Sequence, residues 1–342
     1  MKNIEGFETS QGTPIYQIPI EAFPGLWTFA YLVVHEGLNV LIDTGSGVGE
    51  ASDQLLDGIQ EAGRRSNGDS FSIEKLTHVL ITHGHIDHYG GLKEIRNRTN
   101  ALVGVHELDR RNITRFLERR TINLHNLGDY LVEAGVNGEK RESMLDFYRY
   151  TLQLFDSEEV DFGFEECNMQ LGPFQFLHVP GHSAGHVVIR LDDVLFCGDH
   201  VLTGITPHQA PEELSSWCGL NHYLRSLALL DDWAEEITIS LGGHKQIITD
   251  LNTRISEIKH MHMDRLEEVL RFFKSPNTID ALSESLFGKM NGFDGLLAIE
   301  EAGAHVEYLY QRGKLGIENY GQLERSKGPV ALRYQAEMHS DP

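Results

Sequence analysis

The sequence predicts an α/β fold in which a large layered domain precedes a smaller helical one. Its 342 residues exceed the ~100–200 of an ordinary domain, so two modules are expected. Short runs rich in β-branched and aromatic residues fill the first hundred residues and return after residue 174. Between these parts and after residue 250, apolar residues recur every three to four positions, which indicates helices. We therefore predict one domain at 1–250, with a helical insertion at about 107–160, and a second domain at 251–342.

The first β-rich part contains several short runs that are broken by Gly, Pro and Asn. Such runs are typical of strands in a sheet that is packed on at least one face. The predicted strands are PIYQIPI (14–20), TFAYLVVH (28–35), NVLIDTG (39–45), KLTHVLITH (75–83) and ALVGVH (101–106), with a helix at 49–62. This alternation is that of a layered α/β domain.

The second β-rich part has strands that end in histidine or in Gly-Asp-His. They are FQFLHVPGH (174–182), HVVIRLDD (186–193), VLFCGDH (194–200) and ITISLGGH (237–244), of which the first, third and fourth end in this way. Beyond them, a helix is predicted at 253–274 because its apolar residues lie on one face. A following helix has Asn277 or Thr278 as its cap and Gly288 as its end.

Composition and charge restrict the classes of partner. The formal net charge is −22, which repels polyanions and disfavours nucleic acid as a partner. No apolar stretch approaches the ~20 residues that cross a bilayer, so no membrane span is expected. The N-terminus lacks the apolar core of a secretory signal, and three cysteines are too few for a disulfide framework. The expected location is the cytoplasm.

The stretch THGHIDHYGG (82–91) places three histidines and an aspartate directly after an apolar strand. His83 and His85 are two residues apart on an extended segment and can face the same way, whereas Asp87 and His88 fall where the chain turns towards a helix. Imidazole and carboxylate are ligands for zinc, iron or manganese and require no thiolate. The spacing therefore indicates a metal site with room for two adjacent ions.

This motif, followed in order by PGHSAGH, FCGDH and LGGH, resembles the metallo-β-lactamase-fold hydrolases over roughly residues 14–250. The resemblance implies a four-layer αβ/βα sandwich and a catalytic site with two divalent metal ions at one edge of the two sheets. It implies that one ion is held by His83, His85 and His182, the other by Asp87, His88 and His244, and that Asp199 bridges them. Asp43, in LIDTG, matches the family's carboxylate that orients a ligand imidazole. Zinc is the expected metal, with iron and manganese as alternatives.

A pair of cations lowers the pKa of a shared water and polarises a carbonyl, so no serine or cysteine nucleophile is required. The predicted reaction is hydrolysis of a small ester, thioester or lactone by a metal-bridging hydroxide, with Asp87 passing a proton to the leaving group. Substrate contacts are predicted from His208 and, in the insertion, from Tyr130 and Tyr148, for which core packing is the alternative. The expected partner is a small acyl compound.

Residues 253 to about 320 resemble the winged-helix extension of one branch of this superfamily, which includes mitochondrial-type endoribonucleases and thioesterase-like hydrolases. The candidate recognition helix, 298–312, has three glutamates against one arginine, so a structural or homodimerising role is favoured over nucleic-acid binding. Two alternative functions remain on the same fold. One is an endoribonuclease or phosphodiesterase, supported by the arginines of 110–120, and the other is an iron-dependent persulfide dioxygenase.

Overall fold

A computed structural model defines the structure of residues 3–35, 37–67, 71–151 and 153–337. The chain forms two compact units. Unit 1 consists of Met1–Phe116, Asp156–Pro207 and Ser226–Ile255, and unit 2 consists of Leu117–Phe155, His208–Arg225 and Ser256–Pro342. The predicted boundary at residue 250 and the predicted insertion at 107–160 do not coincide with these units, because most of the insertion joins the C-terminal segment in unit 2.

The first sheet of unit 1 has seven strands in the part of the chain that the structure describes. In their order across the sheet they are β1 (Glu5–Glu8), β2 (Pro14–Phe23), β3 (Leu26–His35), β4 (Leu38–Ile42), β5 (His78–Leu80), β6 (Leu102–Val105) and β7 (Phe162–Gly163). Neighbours are antiparallel from β1 to β4 and parallel from β4 to β7. The carboxyl ends of β4, β5 and β6 therefore lie at one edge of the sheet.

The second sheet of unit 1 has five strands in the described residues. They are β8 (Gln170–Leu171), β9 (Phe174–His178), β10 (Val187–Leu191), β11 (Val194–Gly198) and β12 (Ile239–Gly242), in the order β12-β11-β10-β9-β8. β11 and β12 are parallel, and the other neighbours are antiparallel. The chain thus leaves both β11 and β12 at the same end of this sheet.

An apolar core joins the two sheets. Val33 and Ile42 of the first sheet belong to the same buried cluster as Ile189, Phe196 and Leu241 of the second. Each of these side chains is 0–1% exposed. Burial of apolar surface of this kind is the main favourable contribution to folding, so the core fixes the two sheets face to face.

Seven α-helices precede the C-terminal extension in the described residues. They are α1 (Ala51–Asn67), α2 (Ile86–Tyr89), α3 (Leu92–Arg96), α4 (Glu107–Thr114), α5 (Phe116–Glu133), α6 (Gly138–Thr151) and α7 (Leu220–Trp233). α1 packs on β2 and β3 of the first sheet. The helical character predicted for 107–160 is present in α4, α5 and α6.

The C-terminal extension is helical. It contains α8 (Leu251–Phe272), α9 (Ile279–Phe287), α10 (Gly292–Tyr310) and α11 (Tyr320–Arg325), with an antiparallel pair of strands, β13 (Leu315–Ile317) and β14 (Tyr334–Ala336). The Thr278 hydroxyl accepts a hydrogen bond from the Ala281 amide at 3.3 Å and caps α9. The winged-helix assignment of this extension stays a prediction.

Contacts within unit 2 explain why the insertion groups with this extension. Lys140 Nζ of α6 lies 2.6 Å from Asp280 Oδ1 of α9, and the Leu332 amide donates to the Glu133 carbonyl at 2.8 Å.

Within the described residues, no helix is both long enough and apolar enough to cross a bilayer.

Candidate metal centre

The centre is built on the ends of strands from both sheets of unit 1. The chain leaves β5 at Leu80, reaches His83 and His85 in the following turn, and starts α2 at Ile86. Two backbone hydrogen bonds hold this turn: the Ile81 amide donates to Gly104 at 2.9 Å, and the Val187 amide donates to Thr82 at 2.9 Å. The second bond joins the turn to β10 of the second sheet, so both sheets fix the position of these histidines.

Three histidines form the first set of convergent donors, which we call the three-histidine group: His83, His85 and His182. One ring nitrogen of each lies within 4.8 Å of those of the other two. The ring centroids of His83 and His85 are 4.6 Å apart, and that of His182 lies 4.5 Å from His85. The Nε2 atom of His83 is buried and has no hydrogen-bond partner in the described residues. A buried nitrogen without a partner is costly unless another group, such as a cation, satisfies it.

Four side chains form the second set, which we call the mixed group: Asp87, His88, Asp199 and His244. One ligand atom of each lies within 4.8 Å of those of the others. His244 Nε2 is 3.3 Å from Asp87 Oδ2 and 3.2 Å from Asp199 Oδ2. Its Nδ1 lies 2.6 Å from the Trp27 carbonyl oxygen and donates to it, so Nε2 is the atom that faces the carboxylates.

Asp199 lies between the two groups. Its Oδ2 atom is 3.7 Å from His182 Nε2 in the three-histidine group and 3.2 Å from His244 Nε2 in the mixed group. Its Oδ1 atom is 3.4 Å from His88 Nε2. One carboxylate can therefore reach a ligand position in each group.

Asp43, at the end of β4, contacts an imidazole of the mixed group. Its Oδ2 atom lies 2.8 Å from His88 Nδ1 and accepts from the Thr82 hydroxyl at 2.8 Å. Its Oδ1 atom accepts from the Thr82 amide at 2.8 Å. This carboxylate fixes which nitrogen of His88 faces Asp87 and Asp199.

The two groups differ in their electrostatics. Burial and the neighbouring histidines hold the pKa of His83 well below its usual value, so this imidazole is neutral and has a free electron pair. Burial also acts against protonation at His88 and His244, but the surrounding carboxylates outweigh it. They hold the pKa of His88 well above its usual value and raise that of His244 to about 10. The mixed group therefore attracts positive charge.

These donor sets fit divalent cations. Imidazoles and carboxylates converge at two adjacent positions, and neither set contains a cysteine. Cys197, on β11, is buried, and burial raises the pKa of its thiol to about 12. The three-histidine group and the mixed group are thus the side chains that would hold two ions, with Asp199 shared.

Two residues that sequence reasoning did not place at the site contact its ligand segments. His186 Nε2 accepts from the Asp199 amide at 3.0 Å, and its ring stacks on His83 with centroids 4.7 Å apart. The second Gly-His of PGHSAGH was the available signal for His186. Asp109, which is 0% exposed, binds two of the ligand loops, and its sequence neighbourhood is that of an ordinary helix start.

The three residues predicted to contact substrate all belong to unit 2, whereas the seven predicted ligands all belong to unit 1. Tyr130 is 4% exposed and lies against Gly303 of α10, as a core residue does. The Tyr148 hydroxyl accepts from Arg120 Nη1 at 3.0 Å. His208 Nε2 lies 3.2 Å from the Leu297 carbonyl and 3.4 Å from Glu300. Their role in substrate binding stays a prediction.

A third set of convergent donors, His262, Glu301 and His305, is buried in unit 2. Its members already have partners: Arg265 Nη1 lies 2.6 Å from Glu301 Oε1, and the Gln209 amide donates to Glu301 Oε2 at 2.8 Å. His262 Nδ1 and His305 Nε2 share a hydrogen bond of 3.1 Å. Because Arg265 already binds the Glu301 side chain and the two histidines bond to each other, we interpret this set as a structural network.

Comparison with known proteins identifies similar chains. A family model described as "Metallo-beta-lactamase superfamily" matches residues 26–244. A metallo-beta-lactamase fold-containing protein of Sulfurisphaera tokodaii is 31% identical over 186 residues, which are 53% of this chain and 59% of that protein. A hydroxyacylglutathione hydrolase of Shewanella sp. strain ANA-3 is 28% identical over 128 residues, 36% of this chain and 34% of that protein. The chain therefore spans less than two thirds of the length of these curated relatives.

A solved structure matches almost the whole chain. It is a metallo-beta-lactamase family protein from Thermus thermophilus, with a TM-score of 0.71 and 24% identity. The match covers 94% of this chain and 98% of that one. At this level of identity the likeness shows a shared fold.

Proposed function

Because the chain belongs to the metallo-beta-lactamase superfamily, we propose that it is a metal-dependent hydrolase of small esters, thioesters or lactones. The observation that carries the proposal is Asp199, whose two oxygens reach donors of both the three-histidine group and the mixed group. Two-ion sites of this kind favour attack on an acyl carbon without a serine or cysteine nucleophile.

The site residues of unit 1 have three roles in this proposal. The seven side chains of the two groups would bind two ions, which supply a lowered pKa for water and polarise a carbonyl oxygen when bound. Asp43 orients the His88 ring. Asp87, a carboxylate of the mixed group, would accept the proton that the attacking water gives up and pass it to the leaving group.

Within this class a thioester is the leading substrate. The Shewanella relative is named for hydrolysis of a hydroxyacylglutathione, in which the acyl group is bonded to sulfur. A thiolate is also a better leaving group than an alkoxide, so the reaction demands less of the proton donor. A small acyl thioester is therefore the first compound to try.

The nuclease alternative has no comparable support. α10, the helix of the extension that corresponds to the predicted recognition helix, carries Glu300, Glu301 and Glu307. Phosphate binding needs a cluster of Lys or Arg in place of these glutamates. We find no observation in the described residues that favours the persulfide dioxygenase over the hydrolase.

A substrate panel tests the proposal. Protein purified without chelator is assayed against a small acyl thioester, a lactone, an aryl ester and single-stranded RNA. We expect the acyl compounds to be cleaved, and Asp199→Ala to lower kcat/KM by about 10³-fold, since the ions contribute several kcal/mol. His260→Ala, an exposed change on α8, is the control. Efficient cleavage of RNA without cleavage of any acyl compound would reverse the assignment.

A further inference from the structure

Asp109, in the first turn of α4, accepts four hydrogen bonds from neutral donors. Its Oδ2 atom accepts from the Gly84 amide at 2.7 Å and from the Ser183 hydroxyl at 2.8 Å. Its Oδ1 atom accepts from the Gly185 amide at 3.0 Å and from Asn112 Nδ2 at 3.2 Å. Gly84 separates His83 from His85, and Ser183 follows His182. One buried carboxylate therefore bonds to both segments that carry the three-histidine group.

The two segments also lie close against α4, with no room for a side chain at Gly185 and little at Gly84. A Cβ atom on Gly185 would lie 2.6 Å from the Asp109 backbone nitrogen, and one on Gly84 would lie 3.1 Å from Asn112 Cβ. Glycine at both positions lets the backbone amides come within hydrogen-bond distance of the carboxylate. The hydrogen bonds from these two amides thus depend on the carboxylate of Asp109 and on glycine at positions 84 and 185.

A second contact holds the His182 loop at the neighbouring residue. His178 Nε2 donates to the Ala184 carbonyl at 2.8 Å. The His178 ring stacks on His106, the residue that caps α4, with centroids 3.8 Å apart and planes inclined by 21°. Residues 183, 184 and 185 are therefore each held by groups in or next to the start of α4.

We propose that Asp109 is the positioning residue of the three-histidine group: it clamps the turn of His83 and His85 to the loop of His182 so that the three imidazoles converge. Among the described residues this carboxylate is bonded to neutral donors alone, and burying it in that way is costly, whereas hydrogen bonds to a charged acceptor are strong. A carboxylate suits this position because it offers two acceptor oxygens, which together bind four donors from α4 and from both loops. The inference rests on the metal site proposed above.

Asp109→Asn is the informative change because it keeps the shape of the side chain. The amide has one acceptor oxygen and one donor NH₂ group, so in one orientation the Gly84 amide loses its acceptor and in the other the Gly185 amide does. We expect one of the two ions to bind about 10–100-fold more weakly, as for other residues that orient metal ligands. Zn²⁺ titration of the metal-free protein measures each affinity, and His85→Ala marks which step belongs to the three-histidine group.

Amide hydrogen exchange of the metal-free protein gives a readout that needs neither metal nor activity. We expect the Gly84 and Gly185 amides to exchange faster in Asp109→Asn than in the wild type, because each has lost or weakened its acceptor. Ser183→Ala removes one donor and leaves the carboxylate, so we expect a smaller increase in the exchange rates of the Gly84 and Gly185 amides. It also serves as the test if Asp109→Asn does not fold.

Asp161→Asn is the matched control in the same unit. Its Oδ2 atom accepts from the Val103 amide at 2.7 Å and from Arg96 at 2.7 Å, and neither partner lies on a ligand-bearing loop. We expect it to lower stability and to leave both zinc affinities unchanged. Equal weakening of both sites in Asp109→Asn and Asp161→Asn, or wild-type affinities and exchange in Asp109→Asn, would overturn the proposal. A protein that shows the Asp109 effect but cleaves no acyl compound would refute the proposed function alone.

Discussion

Gly243 lies directly against Asp199. A Cβ atom at position 243 would be 2.5 Å from Asp199 Oδ1 and 2.5 Å from His88 Cε1. Two ligands of the mixed group thus occupy the space that a side chain on the second glycine of GGH would need. Only a residue without a side chain leaves both of them in place.

Gly243→Ala is therefore expected to displace Asp199, His88 or both, and to weaken metal binding. Because Asp199 is shared, we expect the metal content after gel filtration to fall below that of the wild type and kcat/KM to fall by about 10²-fold or more. Metal analysis by mass spectrometry checks the first outcome. Gly128→Ala, on α5, where a Cβ meets nothing within 4 Å, is the control. Wild-type metal content in Gly243→Ala would contradict the prediction.

Asp43→Asn tests the orientation of His88. The amide can present its oxygen either to His88 Nδ1 or to the Thr82 amide, and its NH₂ group then faces the other donor. We expect about 10–100-fold weaker metal binding at the mixed group, measured by titration of the metal-free protein. Asp192→Asn is the control, because Asp192 also has positive φ, +53° against +58° for Asp43, and bonds to Thr9 away from the site. An equal effect of the two changes would argue against a specific role for Asp43.

Removal of metal is expected to abolish hydrolysis and to lower thermal stability. Protein purified without chelator is expected to contain about two transition-metal ions per chain. Ions that bind only the folded state stabilise it, so the Tm is expected to fall on chelation and to recover on addition of Zn²⁺. The double variant His85→Ala with Asp199→Ala is expected to lose the metal and to show no such recovery. At most one ion per chain, with full activity in Asp199→Ala, would remove the bridging role of that residue.

The buried histidine pair of unit 2 predicts loss of stability in acid. Burial, the neighbouring histidine and Arg265 hold the pKa of His262 at about 2, and burial holds that of His305 at about 3, against 6.5 as the ordinary value. At these two positions the unfolded chain therefore binds more protons below pH 6.5. The contribution of each histidine to the free energy of unfolding is expected to fall by about 1.4 kcal/mol per pH unit as the pH drops from 6.5 towards 3. Above pH 6.5 this contribution is complete.

Urea unfolding of two variants at pH 7, 6, 5 and 4 separates this effect from that of surface carboxylates. His262→Gln cannot gain the proton, so its stability is expected to depend less on pH than that of the wild type. His260→Gln, on the exposed side of the same helix, is expected to keep the wild-type dependence. Arg265 and Glu301 face the pair in all three proteins. Equal slopes in His262→Gln and the wild type would contradict the prediction.

Local patterns were sufficient for the family, the fold and most strands. The predicted superfamily and its α/β fold are confirmed. β2 and β3 were predicted at 14–20 and 28–35 because their β-branched and aromatic residues are dense, and they extend over Pro14–Phe23 and Leu26–His35. β1 was missed because Glu5–Glu8 is short and mostly polar. It is a strand because it pairs with β2, and its own residues do not indicate that pairing.

The parts that the sequence did not predict depend on contacts between distant residues. Asp109 and Gly185 are 76 positions apart, and no local period or motif indicates that their atoms meet. The association of Lys140 with Asp280 is of the same kind, with 140 positions between them, and it underlies the grouping of the insertion with the C-terminal helices. Periodicity reports which face of an element is apolar, but it does not report which other element covers that face.

The interleaving of the two units has a consequence for synthesis and for protein engineering. The chain passes between unit 1 and unit 2 five times, and the last segment of unit 1, Ser226–Ile255, is made after two segments of unit 2. That segment contains β12 and His244, so a nascent chain cannot complete the second sheet or the mixed group until most of the polypeptide has left the ribosome. Pairing over such long separations is intrinsically slow and leaves strand edges exposed in the meantime. No single cut yields either unit intact, so a minimal enzyme would need redesigned loops at several junctions or a circular permutation.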